Sequence, residues 1–215
     1  MTELSLVEFF AIIAPLPILI AAAIGLMRIQ WASKQNRYIV LLVVFASISQ
    51  IIATLLWWEQ VNNMFVSHVF TIVECYLLLQ YYSFQFEEKA KRLIKIVSWL
   101  FVGLGIVDFV SSYNNWNMNA FSKGVECAIL IIVSLITWTK TMVDMSESNL
   151  LSKPFFWVNS AVLVYFSANS LLFAFSESIL SGERTIGLSL WAIHLFFMTV
   201  YYSLISIGLW KMPQK

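Results

Sequence analysis

The segment GLSLWAIHLFFMTVYYSLISIGLW, residues 187–210, decides the fold class of this 215-residue chain. A transmembrane helix needs about 20 consecutive, mostly apolar residues. This segment exceeds that length without a single Asp, Glu, Lys or Arg. We therefore predict that it is a helix that spans a membrane.

The rest of the chain has the same character. It is 60% hydrophobic and 12% charged, whereas soluble domains average about 45–50% and about 25%. We predict an all-α integral membrane protein, a seven-transmembrane-helix bundle that forms one domain over residues 1–215. The acidic N-terminus favours a retained first helix over a cleaved signal peptide. The six other predicted spans are 7–27, 38–58, 64–84, 93–112, 120–139 and 155–176.

The positions of the basic residues predict the orientation. All Lys and Arg residues except Lys123 and Arg184 fall on one side of the predicted membrane. Short loops that are rich in Lys and Arg stay in the cytoplasm. This bias places the N-terminus outside and the C-terminus inside, which requires an odd number of spans. We expect a multi-pass protein of the plasma membrane, which is the inner membrane of a bacterium.

Composition also excludes some classes of protein. A net charge of +1 argues against a nucleic-acid partner, which needs a strongly basic face. Cys75 and Cys127 both lie in apolar runs, so we expect buried free thiols rather than a disulfide. The phosphate-binding, dinucleotide-binding and serine-hydrolase motifs of soluble enzymes are absent from the sequence.

Ionisable residues inside the spans indicate where the functional site lies. A charged group in the hydrocarbon costs about 2.5–3.5 kcal/mol, so it usually faces a cavity or a partner. His68 and Glu74 are six residues apart on the third span. They therefore lie about 120° apart around the helix, and each is expected to contact another helix. Lys123 is treated as a charge at the outer rim, one turn before Glu126.

These polar residues fall mainly in the outer two-thirds of the predicted membrane. On the seventh span, Trp191, His194 and Tyr201 share one helical face. We predict an outward-facing polar pocket among spans 3 to 7, with an apolar plug below it. Glu74 and His194 are its principal contacts. The other predicted site residues are His68, Asp108, Glu126, Asn169, Tyr201 and Trp191.

Side chains that could bind a metal ion or a haem are few in this sequence. Imidazoles and carboxylates are ligands of zinc and non-haem iron, and two opposed imidazoles can hold a haem. The chain has only His68 and His194, and no H-E-x-x-H motif. We expect no cofactor, with a metal or haem bound through these two histidines as the alternative.

Three functions remain open. The first is a receptor or sensor that binds a small ligand or ion and signals through a separate protein at the cytoplasmic face. In helix count and direction the chain resembles small bacterial seven-helix sensory domains, which is a likeness of architecture only. The second is a transporter or channel for a small solute or protons, and the third is a metal- or haem-containing membrane enzyme. Small residues in the sixth span would also allow a homodimer.

Overall fold

The computed structural model describes residues 15–112, 119–143, 149–174 and 184–213. These residues form seven α-helices and two short 3-10 turns. The helices are α1 (Pro15–Met27), α2 (Lys34–Trp58), α3 (Met64–Ser83), α4 (Glu88–Ser112), α5 (Ala120–Val143), α6 (Pro154–Ala174) and α7 (Arg184–Trp210).

Six of these helices, α2 to α7, are long and apolar enough to cross a membrane. The described part of α1 is shorter, at 13 residues, and residues 7–14 of the predicted span 7–27 lie outside the described residues. The prediction of an all-helical fold is confirmed for the residues that the structure describes, and the helix lengths are consistent with a membrane bundle.

Helices α2 and α4 begin four and five residues earlier than the apolar pattern predicts. Helix α2 begins at Lys34 because Ser33 caps it, its hydroxyl accepting a hydrogen bond of 3.2 Å from the backbone N–H of Asn36. Helix α4 begins at Glu88, whose carboxylate lies 2.8 Å from the ammonium of Lys91. Polar first turns of this kind stabilise a helix end. Because the predicted spans are runs of apolar residues, these polar turns fall outside them.

The described helices close into a ring, because α1 and α7 pack against each other. Helix α3 packs against α2, α4 and α5, while α6 lies between α5 and α7, and α1 packs against both α2 and α7. Twelve residues of α3 are buried, more than in any other described helix for which buried residues are given. The two polar residues that the sequence singles out in α3 are therefore inside the bundle.

A single arginine holds the end of α7. The guanidinium of Arg28, which follows α1, donates to the backbone oxygens of Trp210 (2.6 Å) and Met212 (3.1 Å). It also lies 4.3 Å from the centroid of the Trp210 ring, a cation–π contact. Carbonyls at a helix C-terminus lack hydrogen-bond donors within the helix, and the Arg28 side chain supplies the donors for these two.

Glycine sets the spacing between α3 and α4. A Cβ atom placed on Gly105 of α4 would overlap Cγ1 of Ile72 on α3. The two helices can approach this closely only because residue 105 has no side chain. Gly103, two residues earlier in α4, has nothing within 4 Å of the same position.

A buried hydrogen-bond bridge joins α3, α5 and α6 about two helical turns after Glu74, toward the C-terminal end of α3. The Oδ1 atom of Asn159 on α6 accepts hydrogen bonds from the hydroxyls of Tyr82 (2.7 Å) and Ser134 (2.8 Å). The neighbouring Tyr81 hydroxyl is buried too, but it has no hydrogen-bond partner among the described residues. Two adjacent tyrosines thus differ in whether their hydroxyl is satisfied.

This difference predicts opposite effects of the same substitution. Tyr82→Phe is expected to lower the free energy of unfolding by about 0.6–1.7 kcal/mol, the range measured for hydrogen bonds between membrane helices. Tyr81→Phe is the control, and it is expected to leave stability unchanged or raise it, because an unsatisfied buried hydroxyl is removed. Denaturant titration in mixed micelles measures both. Equal losses would show that packing around the rings, not the bridge, determines stability here.

Candidate functional site

The centre of the bundle holds a buried group of charges, which we call the Lys123 cluster: Lys123, Glu74 and Glu126. The ammonium of Lys123 lies 2.8 Å from Oε2 of Glu74 and 2.7 Å from Oε2 of Glu126. The three residues are 6%, 1% and 0% exposed, respectively. The cluster ties α3 to α5 and is shielded from the surroundings of the bundle.

Helix geometry and aromatic rings position these charges. Lys123 and Glu126 are three residues apart on α5, so they share one face of that helix. The ammonium of Lys123 lies 5.6 Å from the ring centroid of Phe70 and 5.9 Å from that of Phe166. The Tyr201 hydroxyl on α7 donates to Oε1 of Glu74 at 3.4 Å. Four helices therefore meet at this point.

The cluster contains more acidic groups than basic ones. It has two carboxyl groups and one ammonium. Within the part of the chain that the structure describes, Oε1 of Glu126 is buried without a hydrogen-bond partner. Buried polar atoms are nearly always paired, so such an atom requires an explanation. It identifies Glu126 as the less well satisfied of the two carboxyl groups.

A cavity of about 320 Å³ adjoins the cluster at Lys123. Its walls come from α1, α2, α3, α5, α6 and α7. Lys123 is the one Asp, Glu, Lys or Arg among the described residues that line it. The lining residues are Pro15, Ile18, Ala46, Ser49, Gln50, Ala53, Asn63, Met64, Val66, Ser67, Phe70, Asn119, Lys123, Tyr165, Trp191, His194, Leu195, Met198 and Tyr202.

On the α7 side, His194 is oriented by the neighbouring helix. The side-chain nitrogen of Asn169 donates to the backbone oxygen of Tyr165 at 2.8 Å. The Oδ1 atom of Asn169 then faces Nδ1 of His194 at 3.0 Å and is an acceptor, so Nδ1 is assigned the proton. The Trp191 ring lies 5.0 Å from the imidazole, centroid to centroid. This arrangement fixes the ring of His194 in the cavity wall.

A second polar group lies between α3, α4 and α5. Nδ1 of His68 is 3.7 Å from Oδ2 of Asp108, and the hydroxyl of Ser122 donates to the same oxygen at 2.6 Å. Next to it, the side-chain nitrogen of Asn119 donates to Oγ1 of Thr71 at 2.5 Å. Neither His68 nor Asp108 is part of the cavity wall.

The structure thus distributes the eight predicted site residues over three places. Trp191 and His194 line the cavity, with Asn169 behind His194. The remaining five divide between the Lys123 cluster, which contains or contacts Glu74, Glu126 and Tyr201, and the separate pair of His68 and Asp108. The expectation that His68 and Glu74 would each contact another helix is confirmed.

The cavity differs in position from the predicted pocket. The sequence places a pocket among spans 3 to 7, whereas this cavity is walled by α1 and α2 as well and includes no described residue of α4. The physical reason is the closure of the ring. Because α1 packs against α7 and α2, the face of α7 that carries Trp191 and His194 is turned toward the first two helices.

Lys123 is the site residue that the sequence interpretation misplaced. The sequence pattern predicts a charge at the outer rim, whereas the structure buries this residue between two carboxyl groups. Two signals were present: the three-residue spacing to Glu126 and the acidic residue at mid-span in the third segment. A lysine in a membrane helix that has acidic residues within reach is more stable paired than exposed to lipid.

No family model, curated protein or solved structure matches this chain. The functional conclusion therefore depends on the geometry of the site. Among the described residues, no group of three His, Cys, Asp or Glu side chains is placed to hold a metal ion. His68 faces Asp108 on α4 and His194 faces Asn169 on α6, so the two imidazoles contact different helices.

Proposed function

We propose that this chain is a multi-pass membrane protein that binds a small ligand in the cavity and acts as a sensor or receptor. One observation carries the proposal: Lys123 lines the cavity and also binds carboxyl groups on two helices. A ligand in the cavity would therefore act directly on a charged junction inside the bundle. The output would pass to a separate protein at the cytoplasmic face.

The proposed membrane placement rests on the helices and their surfaces. Six helices have the length and composition of membrane spans, and many large apolar side chains are exposed on them. With Lys123 assigned to the interior, Arg184 alone among the Lys and Arg residues falls on the proposed outer side. This distribution supports an N-terminus outside and a C-terminus inside.

A ligand could bias the bundle through the Lys123 cluster. Removing one partner of a buried ion pair costs about 3–5 kcal/mol. If Lys123 exchanged a carboxyl partner for a ligand, α3 or α5 would therefore have to shift. Helix α7 extends from the cavity, at Trp191, to the opposite end of the bundle, where Arg28 binds the backbone oxygen of Trp210. These two features supply a physical connection between the cavity and the proposed cytoplasmic face.

Transport of a small solute or of protons is the second candidate. It is favoured by Oε1 of Glu126, which is buried without a hydrogen-bond partner in the described residues. Buried carboxyl groups of this kind occur in proton relays. Transport requires that the cavity open to both sides of the membrane in turn, whereas a sensor of outside ligands needs access from one side.

Cysteine accessibility distinguishes these functions. In a background with Cys75→Ala and Cys127→Ala, Ser49→Cys places a thiol in the cavity wall. A membrane-impermeant thiosulfonate is applied to sealed right-side-out and inside-out vesicles. We expect Ser49→Cys to react from the outside only, because the cavity of a sensor opens to that side.

The matched control is Ser203→Cys, an exposed position on α7 that faces lipid in the proposed arrangement. It is expected to stay unlabelled from either side. Labelling of Ser49→Cys from both sides would favour transport. Labelling from the inside alone would overturn the orientation, and protection on both sides would contradict an accessible cavity.

A further inference from the structure

The cavity wall also indicates what kind of ligand it binds. We propose that the ligand is a small organic anion with an apolar body, and that its acidic group binds the ammonium of Lys123 in competition with the Glu126 carboxylate. This inference rests on the proposed function, because it assigns a ligand class to the same cavity.

The charge on the wall is the first observation. Lys123 is the one formally charged side chain among the described residues that line the cavity, and Glu74 and Glu126 are not part of the wall. Two further donors of the wall are the Tyr165 hydroxyl and the Trp191 indole N–H, whereas the donors of Asn63, Ser67 and Asn119 are hydrogen-bonded to groups of the protein itself. A wall with one cation and no carboxylate is complementary to a carboxylate and not to an amine.

The apolar part of the wall is the second observation. Phe70, Leu195 and Met198 line the cavity together with the ring of Trp191. The volume of about 320 Å³ is at the small end of the range of about 300–1,000 Å³ that is typical of small-molecule pockets. An aromatic or short aliphatic body with one acidic group matches both the size and the lining.

The third observation explains how an anion could gain access to Lys123. Glu74 is held by the Tyr201 hydroxyl in addition to Lys123. Glu126 is held by Lys123 at Oε2, and its Oε1 atom has no hydrogen-bond partner among the described residues. An incoming carboxylate would therefore compete with Glu126, and Lys123 would keep its bond to Glu74 across the α3–α5 interface.

Equilibrium binding of three matched compounds tests the ligand class. Benzoate, benzamide and benzylamine have the same ring and carry an anionic, a neutral and a cationic group. The full chain is placed in nanodiscs of phosphatidylcholine, which have no net surface charge, and radiolabelled benzoate is displaced by each compound. We expect benzoate to bind at least about tenfold more tightly than benzamide, as one desolvated charge contact predicts, and benzylamine to bind least.

Two variants connect this preference to the cluster. Glu126→Gln removes the competing carboxylate and is expected to tighten benzoate binding by about tenfold or more. The neutral triple variant Glu74→Gln, Lys123→Met and Glu126→Gln is expected to bind benzoate and benzamide equally. Lys140→Met has the same change in charge as Lys123→Met but lies in an exposed position away from the cavity, and it is the control that should bind as the unaltered protein does.

The outcomes separate the inference from the proposed function. Equal or tighter binding of benzamide or benzylamine would overturn the anion inference and leave ligand binding in the cavity intact. Unchanged benzoate affinity in Glu126→Gln, with the protein folded as judged by its thermal unfolding, would overturn the competition. Absence of saturable binding of all three compounds, together with a Ser49→Cys thiol protected on both sides, would contradict the inference and the proposed function alike.

Discussion

Replacing Lys123 by methionine is expected to lower the free energy of unfolding by about 3–5 kcal/mol. The substitution removes the cation that binds Glu74 and Glu126. Two carboxyl groups that are 1% and 0% exposed would then face each other in a medium of low dielectric. Either they remain charged and repel, or one or both bind protons, and each alternative costs stability. Denaturant titration of the protein in mixed micelles measures the loss.

The neutral triple variant provides the decisive comparison. Replacing a whole buried ion cluster by groups of similar shape is often close to neutral in stability, so adding Glu74→Gln and Glu126→Gln to Lys123→Met should recover most of the loss. Lys140→Met, on the exposed part of the same helix, removes one exposed hydrogen bond to the backbone oxygen of Gln85 and should change stability by no more than about 1 kcal/mol. If Lys123→Met were as stable as the unaltered chain, the buried ion cluster would be refuted.

Introducing leucine at Gly105 is expected to destabilise the bundle by about 1–3 kcal/mol, the usual cost of overpacking. Its Cβ alone would overlap Cγ1 of Ile72 on α3, so either the Ile72 side chain must change position or the two helices must move apart. A leucine side chain extends beyond its Cβ and favours movement of the helices. That movement would shift α3 and the buried residues on it, including Glu74. We therefore expect Gly105→Leu to weaken benzoate binding as well as to lower stability, in the same micelle and nanodisc measurements.

Gly103→Leu is the matched control in the same helix. The position beside Gly103 is open for at least 4 Å, and leucine has a higher helix propensity than glycine by roughly 0.5–1 kcal/mol. The control is expected to be neutral or slightly stabilising. A loss in Gly103→Leu that equals the loss in Gly105→Leu would mean that helix propensity or lipid contact, not the α3–α4 spacing, explains the effect.

The sequence predicts the helices well because each long helix must match an apolar length. The predicted span 64–84 differs by one residue from α3 (Met64–Ser83). The prediction of helix ends is wrong where polar residues extend a helix past its apolar part, as at Lys34 and Glu88. Capping and charged first turns lower the free energy of those ends without raising hydrophobicity.

The sequence predicts only part of the candidate site, because the helical period shows which residues share a face but not which helix they contact. The helical period is enough to infer that His68 and Glu74 face different neighbours, and that Trp191 and His194 share a face. The identity of the neighbours depends on the packing order of the helices, which a single sequence does not encode as a period. For this reason the predicted pocket, among spans 3 to 7, leaves out α1 and α2, and the sequence alone places Lys123 at the rim.

The contact between α1 and α7 has a consequence for the biogenesis of this protein. Arg28 and the backbone oxygens that it binds are 182 and 184 positions apart in the chain. During synthesis, α1 is made before α7 and lacks one of its two partners until α7 emerges. Contacts between such distant parts of a chain form late in folding. The cavity therefore does not exist in a nascent chain that lacks α7, and ligand binding can report only on protein in which α7 has docked.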